Sequence, residues 1–273
     1  MCIRDRIKAA FLAFINKVPF YGMSVLCLDQ PHIQSLIPLV EKRFQTYGLS
    51  SQADYQARDI ALKPLGSRFK VLHHGEDLGW FELSVPGVHN INNSMAAIAV
   101  ARELEVELEI IRKALKEFSG VQRRFTIKGE VNGIIVVDDY GHHPTEVRAT
   151  LAAAAAGMER RVVVVFQPHR YTRTQHLLEE FFTAFNQADT LVVLDIYAAG
   201  EQPIPGVSGQ TLYEGIKRYG HKDVVFIPDR AKVVEHMAGV LKKGDLMITL
   251  GAGDVWKIGE QVLEKLRQMH ANQ

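Results

Sequence analysis

Beyond residue 122 the chain alternates short apolar runs with longer amphipathic segments. The apolar runs predict strands at 134–137, 161–166, 190–196, 223–227 and 245–250. The segments between and after them predict helices at 145–156, 176–187, 210–219, 230–241 and 255–269. Such alternation is typical of a parallel, doubly wound, Rossmann-like sheet whose functional loops lie at one edge.

The first part of the chain has a different pattern. It predicts a helix at 7–18, a strand at 23–28, a helix at 31–43, strands at 44–47, 58–62, 68–73 and 80–85, and helices at 90–104 and 108–118. The alanine-rich face of the 90–104 helix is expected to pack closely against a sheet. The segment 120–122 (Gly-Val-Gln) predicts a linker. We therefore predict two domains, residues 1–121, a partial α/β domain, and residues 122–273, a Rossmann-like domain.

Composition narrows the class of protein. The chain has 273 residues with 32 basic and 31 acidic side chains, so it lacks the charge footprint of a nucleic-acid or anionic-membrane binder. No apolar run approaches the roughly 20 residues of a membrane span, so no membrane insertion is expected. Cys2 and Cys27 are too few for a disulfide framework. Without a signal-peptide layout, these features favour the cytoplasm. The opening helix starts abruptly, so we expect a truncated beginning and a non-native segment at 1–6.

The segment 138–146 (Asp-Asp-Tyr-Gly-His-His-Pro-Thr-Glu) concentrates titratable groups after a buried strand. Two carboxylates and two imidazoles follow the strand, and Glu146 lies in the first turn of the next helix, where a negative charge is favourable. The carboxyl end of a strand is where open α/β sheets bind ligands. An ordinary capped turn with solvated charges is the alternative interpretation.

Two further clusters carry candidate chemistry. Arg170 and Arg173 follow the apolar strand that ends at 166, and their planar guanidinium groups suit a carboxylate or phosphate. They could instead pair with the glutamates at 179–180. Asn90 and Asn93 share one face at a helix N-terminus, which favours an anion. They could instead serve as a simple asparagine N-cap.

Other motifs are excluded or weak. The glycines at 251–253 lack the third glycine and the following acidic residue of a dinucleotide fingerprint, so they predict a tight turn and leave little support for an oxidoreductase. The eleven histidines show no helical ligand spacing, so no metal site is expected. No GxxxxGK[ST] phosphate loop occurs in the sequence.

From about Phe14 to its end, the chain resembles the Mur ligase family. The resemblance rests on six motifs in order, at 19–22, 86–90, 123–125, 138–146, 166–174 and 195–201. The His-Arg-Tyr-Thr-Arg segment at 169–173 is similar to family members that add alanine, and less so to those that recycle murein tripeptide.

The resemblance implies an ATP-dependent amide-bond synthesis. The lactyl carboxylate of UDP-N-acetylmuramate would attack the γ-phosphate of ATP, with Mg²⁺ offsetting charge, and the amine of L-alanine would then displace phosphate. Its implied nucleotide-binding residues are Asn90, Asn93, Arg124 and Asp139, and its implied acceptor-pocket residues are Tyr140, His142, Arg170 and Arg173. Arg124, reaching the phosphates across an interdomain cleft, and His142 are the implied catalytic residues.

The sequence also departs from the family pattern. The family's N-terminal domain, its phosphate loop and the glutamate and histidine that hold magnesium have no match here, so we expect half of a central domain plus a complete C-terminal domain. Without those groups phosphoryl transfer loses its main electrostatic stabilisation, and we expect this polypeptide alone to be inactive. A murein tripeptide ligase and a non-catalytic nucleotide- or precursor-binding module remain alternative functions. We also expect an exposed apolar edge and poor solubility.

Overall fold

A computed structural model describes residues 3–271 of the chain. The first two residues of the segment expected to be non-native (1–6), which include Cys2, lie outside the described residues. The chain divides after Ser119 into two compact units. Among the described residues no helix is long and apolar enough to cross a membrane.

The first unit contains one five-stranded sheet in the order β1-β2-β3-β4-β5, parallel from β1 to β3 and antiparallel from β3 to β5. Its strands are β1 (Ser24–Cys27), β2 (Phe44–Gly48), β3 (Tyr55–Lys63), β4 (Gly66–His73) and β5 (Glu76–Leu83). Its helices are α1 (Ile3–Ile15), α2 (Pro31–Gln34), α3 (Val88–Glu103) and α4 (Leu108–Glu117). Ile91, Met95, Ile98 and Ala99 of α3 are fully buried, which confirms the close packing predicted for the alanine-rich helix.

The predicted helix at 31–43 is wrong. The chain forms only the four-residue α2 and a single 3₁₀ turn at Ile37–Leu39 before β2. Ser35 donates its hydroxyl hydrogen to the carbonyl oxygen of His32, and Pro38 has no N–H with which to continue an α-helical ladder. Local side-chain and proline chemistry therefore overrides the apolar periodicity.

The first unit does expose large apolar side chains, but they lie on α1 and in the turn after it and not on its edge strand, whose residues are partly or fully buried. Strand β1 is an edge strand of its sheet. Phe14 on α1 is 73% exposed, and Phe20 and Tyr21 in the following turn are 92% and 77% exposed. These side chains are far more accessible than is usual for large apolar groups.

The second unit contains a six-stranded sheet in the order β10-β9-β8-β11-β7-β6. Its strands are β6 (Thr126–Val131), β7 (Ile134–Asp139), β8 (Val162–Phe166), β9 (Thr190–Val193), β10 (Val224–Phe226) and β11 (Leu246–Leu250). Its helices are α5 (Pro144–Gly157), α6 (Tyr171–His176), α7 (Leu178–Phe181), α8 (Gly209–Arg218), α9 (Arg230–Val240) and α10 (Trp256–Ala271). All strands are parallel except β6.

Successive residues of β8 enter opposite cores. Val164 and Phe166 pack in the core with α5, α7 and α8, whereas Val163 and Val165 pack in the core with α9 and α10. This alternation follows from the two-residue period of a strand, and continuous valine on both faces is typical of a parallel strand covered by helices. The doubly wound architecture predicted from the sequence is therefore confirmed.

Two details of the second unit differ from prediction. Strand β6 was not expected; it pairs antiparallel with β7 through a tight turn in which Asn132 and Gly133 have φ of 50° and 76°. Of the helix predicted at 176–187, only the short α7 forms, because Leu177, with ψ of 14°, separates it from α6 and residues 182–187 form turns.

Candidate functional site

The strand order places four functional loops side by side. The carboxyl ends of β7, β11, β8 and β9 are consecutive along one sheet edge. The loops that follow these strands carry the polar clusters singled out in the sequence, at 139–143, 251–254, 167–170 and 194–201. The edge of a doubly wound sheet at which the strand order reverses is where such folds bind ligands.

A buried ion pair between Arg123 and Asp138 connects neighbouring loops at this edge. Asp138 is 1% exposed; it accepts a hydrogen bond from Arg123 Nε at 2.9 Å and one from the Thr249 hydroxyl at 2.8 Å. Arg123 also donates to the carbonyl oxygen of Gly251 at 2.6 Å, and its guanidinium lies 5.0 Å from the ring centre of Tyr140. Arg123 therefore fixes the loops after β7 and β11 relative to each other.

Asp139, predicted at the nucleotide, is 4% exposed. Its two carboxylate oxygens accept the backbone N–H groups of Phe125 at 2.8 Å and Gly141 at 2.7 Å. Burial raises the pKa of Asp139 despite these hydrogen bonds. The carboxylate thus has a structural role, shaping the loop that carries Tyr140 and His142, and a role at the ribose stays a prediction.

His142 and Glu146 form a second set of contacts in this loop. The backbone N–H of His142 donates to Glu146 at 3.0 Å, and that of His143 does so at 3.2 Å. His143 in turn accepts the N–H of Thr145, completing a capping box at the start of α5. The cap of the alternative interpretation is therefore present and holds the candidate site residue His142, but the charges of this segment are not solvated, because Asp138 and Asp139 are buried.

Arg124 reaches the same glutamate. Its guanidinium lies 3.3 Å from Glu146 Oε1, and its side chain is 50% exposed. The backbone N–H groups and positive neighbours lower the pKa of Glu146, although partial burial, the largest single influence, opposes them. Glu146 therefore links two residues that the family resemblance implied to be catalytic.

The loop after β8 places His169 between aromatic and basic groups. Its ring stacks on Tyr197 with a centroid separation of 5.5 Å and an interplanar angle of 9°. Its Nδ1 lies 3.1 Å from a guanidinium nitrogen of Arg173. Burial first, and Arg173 next, lower the pKa of His169 to about 4, so the ring is neutral near pH 7.

Arg170 has a different setting from Arg173. Its φ is 70°, its side chain is 50% exposed, and it lies 4.0 Å from Glu201. Glu201 also accepts the backbone N–H and the hydroxyl of Thr172, and these bonds lower its pKa. The contacts seen for the two arginines are with Glu201 and His169, so the pairing with Glu179 and Glu180 considered from the sequence is wrong.

The rings of His142 and His169 lie 6.1 Å apart. This approach brings three predicted site residues of the second unit, Tyr140, His142 and Arg173, into one cluster, with Arg170 more exposed nearby. Sequence reasoning missed His169 and Tyr197 as members. A signal was available, since both follow strands that end at the same sheet edge.

Asn90 and Asn93 belong to the first unit. Asn90 donates to the carbonyl oxygen of Pro86 at 2.7 Å, and Asn93 lies 3.4 Å from the Asn90 side-chain oxygen, so the two do share a face of α3. The N-cap of α3 is Gly87, with φ of 96°. The simple asparagine N-cap is therefore wrong, because α3 begins at Val88, two residues before Asn90.

The glycines at 251–253 form the tight turn predicted for them. A Cβ on Gly253 would lie 2.7 Å from Gln167 Oε1 and 2.9 Å from the Tyr197 ring, and one on Gly251 would lie 2.7 Å from the Gln167 carbonyl oxygen. Close approach to neighbouring loops accounts for both glycines. Over residues 3–271 the structure contains no group of three or more His, Cys, Asp or Glu side chains arranged to hold a metal ion.

Comparisons with known proteins agree with this architecture. Residues 3–101 match the model of the Mur ligase middle domain, and residues 123–253 match that of the Mur ligase, glutamate ligase domain. The chain is 57% identical to the UDP-N-acetylmuramate–L-alanine ligase of Syntrophotalea carbinolica over 264 residues, covering 97% of this chain and 58% of that protein. The chain belongs to the Mur ligase family.

Solved structures show the same fold. The UDP-N-acetylmuramate–alanine ligase of Thermotoga maritima matches with a TM-score of 0.77 at 26% identity, covering 97% of this chain and 55% of that one. The murein peptide ligase of Psychrobacter arcticus matches with a TM-score of 0.67 at 22% identity, covering 96% and 55%. The chain thus spans a little over half the length of the proteins it resembles.

Proposed function

We propose that this chain provides the amino-acid acceptor part of an ATP-dependent ligase that joins L-alanine to UDP-N-acetylmuramate in cytoplasmic peptidoglycan precursor synthesis. The observation that carries the proposal is the cluster of Tyr140, His142, His169 and Arg173 at the sheet edge, in a chain 57% identical to an alanine-adding ligase. A small amino acid brings a carboxylate and an amine, and this cluster offers a guanidinium and imidazoles for them.

Each side chain has a distinct task in this proposal. Arg173 and the more exposed Arg170 receive the carboxylate of alanine. His142 receives a proton from its ammonium group, while Arg124 offers a positive charge to the phosphates. Asn90 and Asn93 contribute to nucleotide binding. In a Mur ligase, ATP supplies the phosphoryl group that activates the acid as an acyl phosphate, and the Mg²⁺ that offsets its charge would be held by residues other than those described here.

The alternatives are less well supported. A murein tripeptide ligase shares the fold, as the match to the Psychrobacter arcticus enzyme shows, but relatives more than 50% identical to this chain include the alanine-adding ligases of Syntrophotalea carbinolica and Geotalea daltonii. A module that only binds nucleotide would have no use for the partly buried pairing of His169 and Arg173 beside His142.

A hybrid enzyme tests the proposal. This chain would replace the matched segment of the Syntrophotalea carbinolica ligase, and phosphate release would be measured with ATP, UDP-N-acetylmuramate and L-alanine. We expect release that requires all three, and none from the 273-residue chain alone. A hybrid that is folded, binds ATP and still fails to use L-alanine would contradict the proposed function.

A further inference from the structure

The protonation pattern of His142 can be read from its neighbours. Its Nδ1 lies 3.0 Å from the carbonyl oxygen of Tyr140 and 3.5 Å from Glu146 Oε2. A carbonyl and a carboxylate oxygen can only accept a hydrogen bond, so Nδ1 carries the hydrogen. The neutral ring therefore keeps its lone pair on Nε2, the nitrogen that is free to take a proton.

Glu146 holds this arrangement from two directions. Oε2 accepts the backbone N–H of His142 at 3.0 Å, which fixes the peptide, and lies beside the Nδ1 of the same residue. Oε1 lies 3.3 Å from the guanidinium of Arg124. The other groups facing the ring are Tyr140, with its centroid 5.1 Å away, and His169, with its centroid 6.1 Å away.

We propose that Glu146 is a positioning residue that orients His142 as the general base for the incoming amine. The inference rests on the proposed function, and it assigns to Glu146 a role that its place in the capping box does not require. The backbone bonds alone would cap α5; the approach to Nδ1 and the pairing with Arg124 are additional.

In this proposal the alanine ammonium group first loses a proton, and the resulting amine then attacks the acyl phosphate. An N–H bond of the alanine ammonium group breaks, its electron pair stays on nitrogen, and the proton binds His142 Nε2. The amine pair then forms the C–N bond to the acyl phosphate while the C–O bond breaks, and the departing phosphate takes that electron pair and the second amine proton. The imidazolium, with hydrogen on both nitrogens, is stabilised by the Tyr140 carbonyl and the Glu146 carboxylate.

The test compares two nucleophiles in the hybrid enzyme. Alanine must lose a proton before it attacks, whereas hydroxylamine is already uncharged at neutral pH and captures an acyl phosphate as a hydroxamate. We expect Glu146→Gln to lower kcat with L-alanine by about tenfold, with a KM for alanine that changes less than about threefold and with hydroxamate formation unchanged. The matched control is Glu179→Gln, an exposed helical glutamate outside the site, which should leave both reactions unchanged.

A parallel fall of alanine and hydroxylamine reactions in Glu146→Gln would show a merely structural role and overturn the inference, as would no change in either. An inactive parent hybrid would instead count against the proposed function. In that case ¹⁵N NMR of the histidine rings in the 273-residue chain decides the inference. We expect His142 to keep its hydrogen on Nδ1 beside the Tyr140 carbonyl, and the nuclear Overhauser contact between the His142 and Tyr140 rings to weaken in Glu146→Gln. An unchanged contact, or a ring protonated on Nε2, would overturn the inference.

Discussion

The Nδ1 atom of His169 lies 3.1 Å from a guanidinium nitrogen of Arg173. A guanidinium has only hydrogen-bond donors, so this nitrogen must be unprotonated and the imidazole neutral. The stacked ring of Tyr197 covers one face of His169. His169 is therefore an uncharged residue of the candidate site. Its contact with Arg173 orients the guanidinium group that is proposed to bind a carboxylate.

The pH dependence of stability should report this pairing. The pKa of His169 falls from 6.5 to about 4 on folding, chiefly through burial and then through Arg173. Between these values the unfolded chain binds more protons, so the free energy of unfolding decreases as the pH falls from about 6.5 towards 4. We expect His169→Gln to reduce the loss between pH 7 and pH 5 by on the order of 1 kcal/mol, measured by urea unfolding. The same pH slope in both proteins would contradict the assignment.

Substitution of Arg123 and substitution of its neighbour Arg124 should lower the free energy of unfolding by very different amounts. Arg123→Gln leaves Asp138, which is 1% exposed, without its charge partner, and should cost about 3 kcal/mol of unfolding free energy. Arg124→Gln breaks a half-exposed pair with Glu146 and should cost less than about 1 kcal/mol. Urea unfolding of both variants checks this, and equal losses would refute the structural role given to Arg123.

Asp139 offers a test of a structural against a nucleotide-binding role. Asp139→Asn would set an NH₂ group against one of two backbone N–H donors, those of Phe125 and Gly141. We expect a loss of roughly 1–3 kcal/mol of unfolding free energy, whereas Asp59→Asn at an exposed position should change stability little. An unchanged stability accompanied by weaker ATP binding would favour the ribose role alone.

Substitution of the two arginines in the His-Arg-Tyr-Thr-Arg segment should separate the substrates. Arg170→Ala or Arg173→Ala removes a charge-assisted contact to the alanine carboxylate, so the KM for alanine should rise at least about tenfold in the hybrid enzyme. The KM for ATP should change far less. Steady-state kinetics with each substrate varied in turn provide the measurement, and unchanged alanine kinetics in both variants would remove these residues from the site.

Much of the second unit was predictable because its strands are continuous apolar runs bounded by polar loops, as at 162–166. Strand β6 was missed because it is a partly exposed edge strand, with a register shift between Ile127 and Gly129. Its Asn132-Gly133 turn was nevertheless the strongest local hairpin signal in this part of the sequence. The helix predicted at 31–43 failed because periodicity takes no account of Pro38 or of the Ser35 side chain.

The residues that form the site were easier to predict from the sequence than the contacts among them. Residues at strand ends, such as His142 and Arg173, could be grouped because parallel strands share an edge. Sequence could not show that Asp139 is enclosed by two backbone N–H groups, nor that His169 stacks on Tyr197 from another loop. Those facts depend on the order of strands in the sheet and on loop geometry, which no local pattern specifies.

Acceptor choice is the most direct test of the central claim. The hybrid enzyme would be supplied with ATP, UDP-N-acetylmuramate and equal concentrations of L-alanine and murein tripeptide, and the products would be separated by mass. We expect the alanine adduct to dominate, and its share to fall sharply at subsaturating L-alanine when Arg173 is replaced by alanine. A product containing only the tripeptide would contradict it and would make the chain part of a murein-recycling ligase.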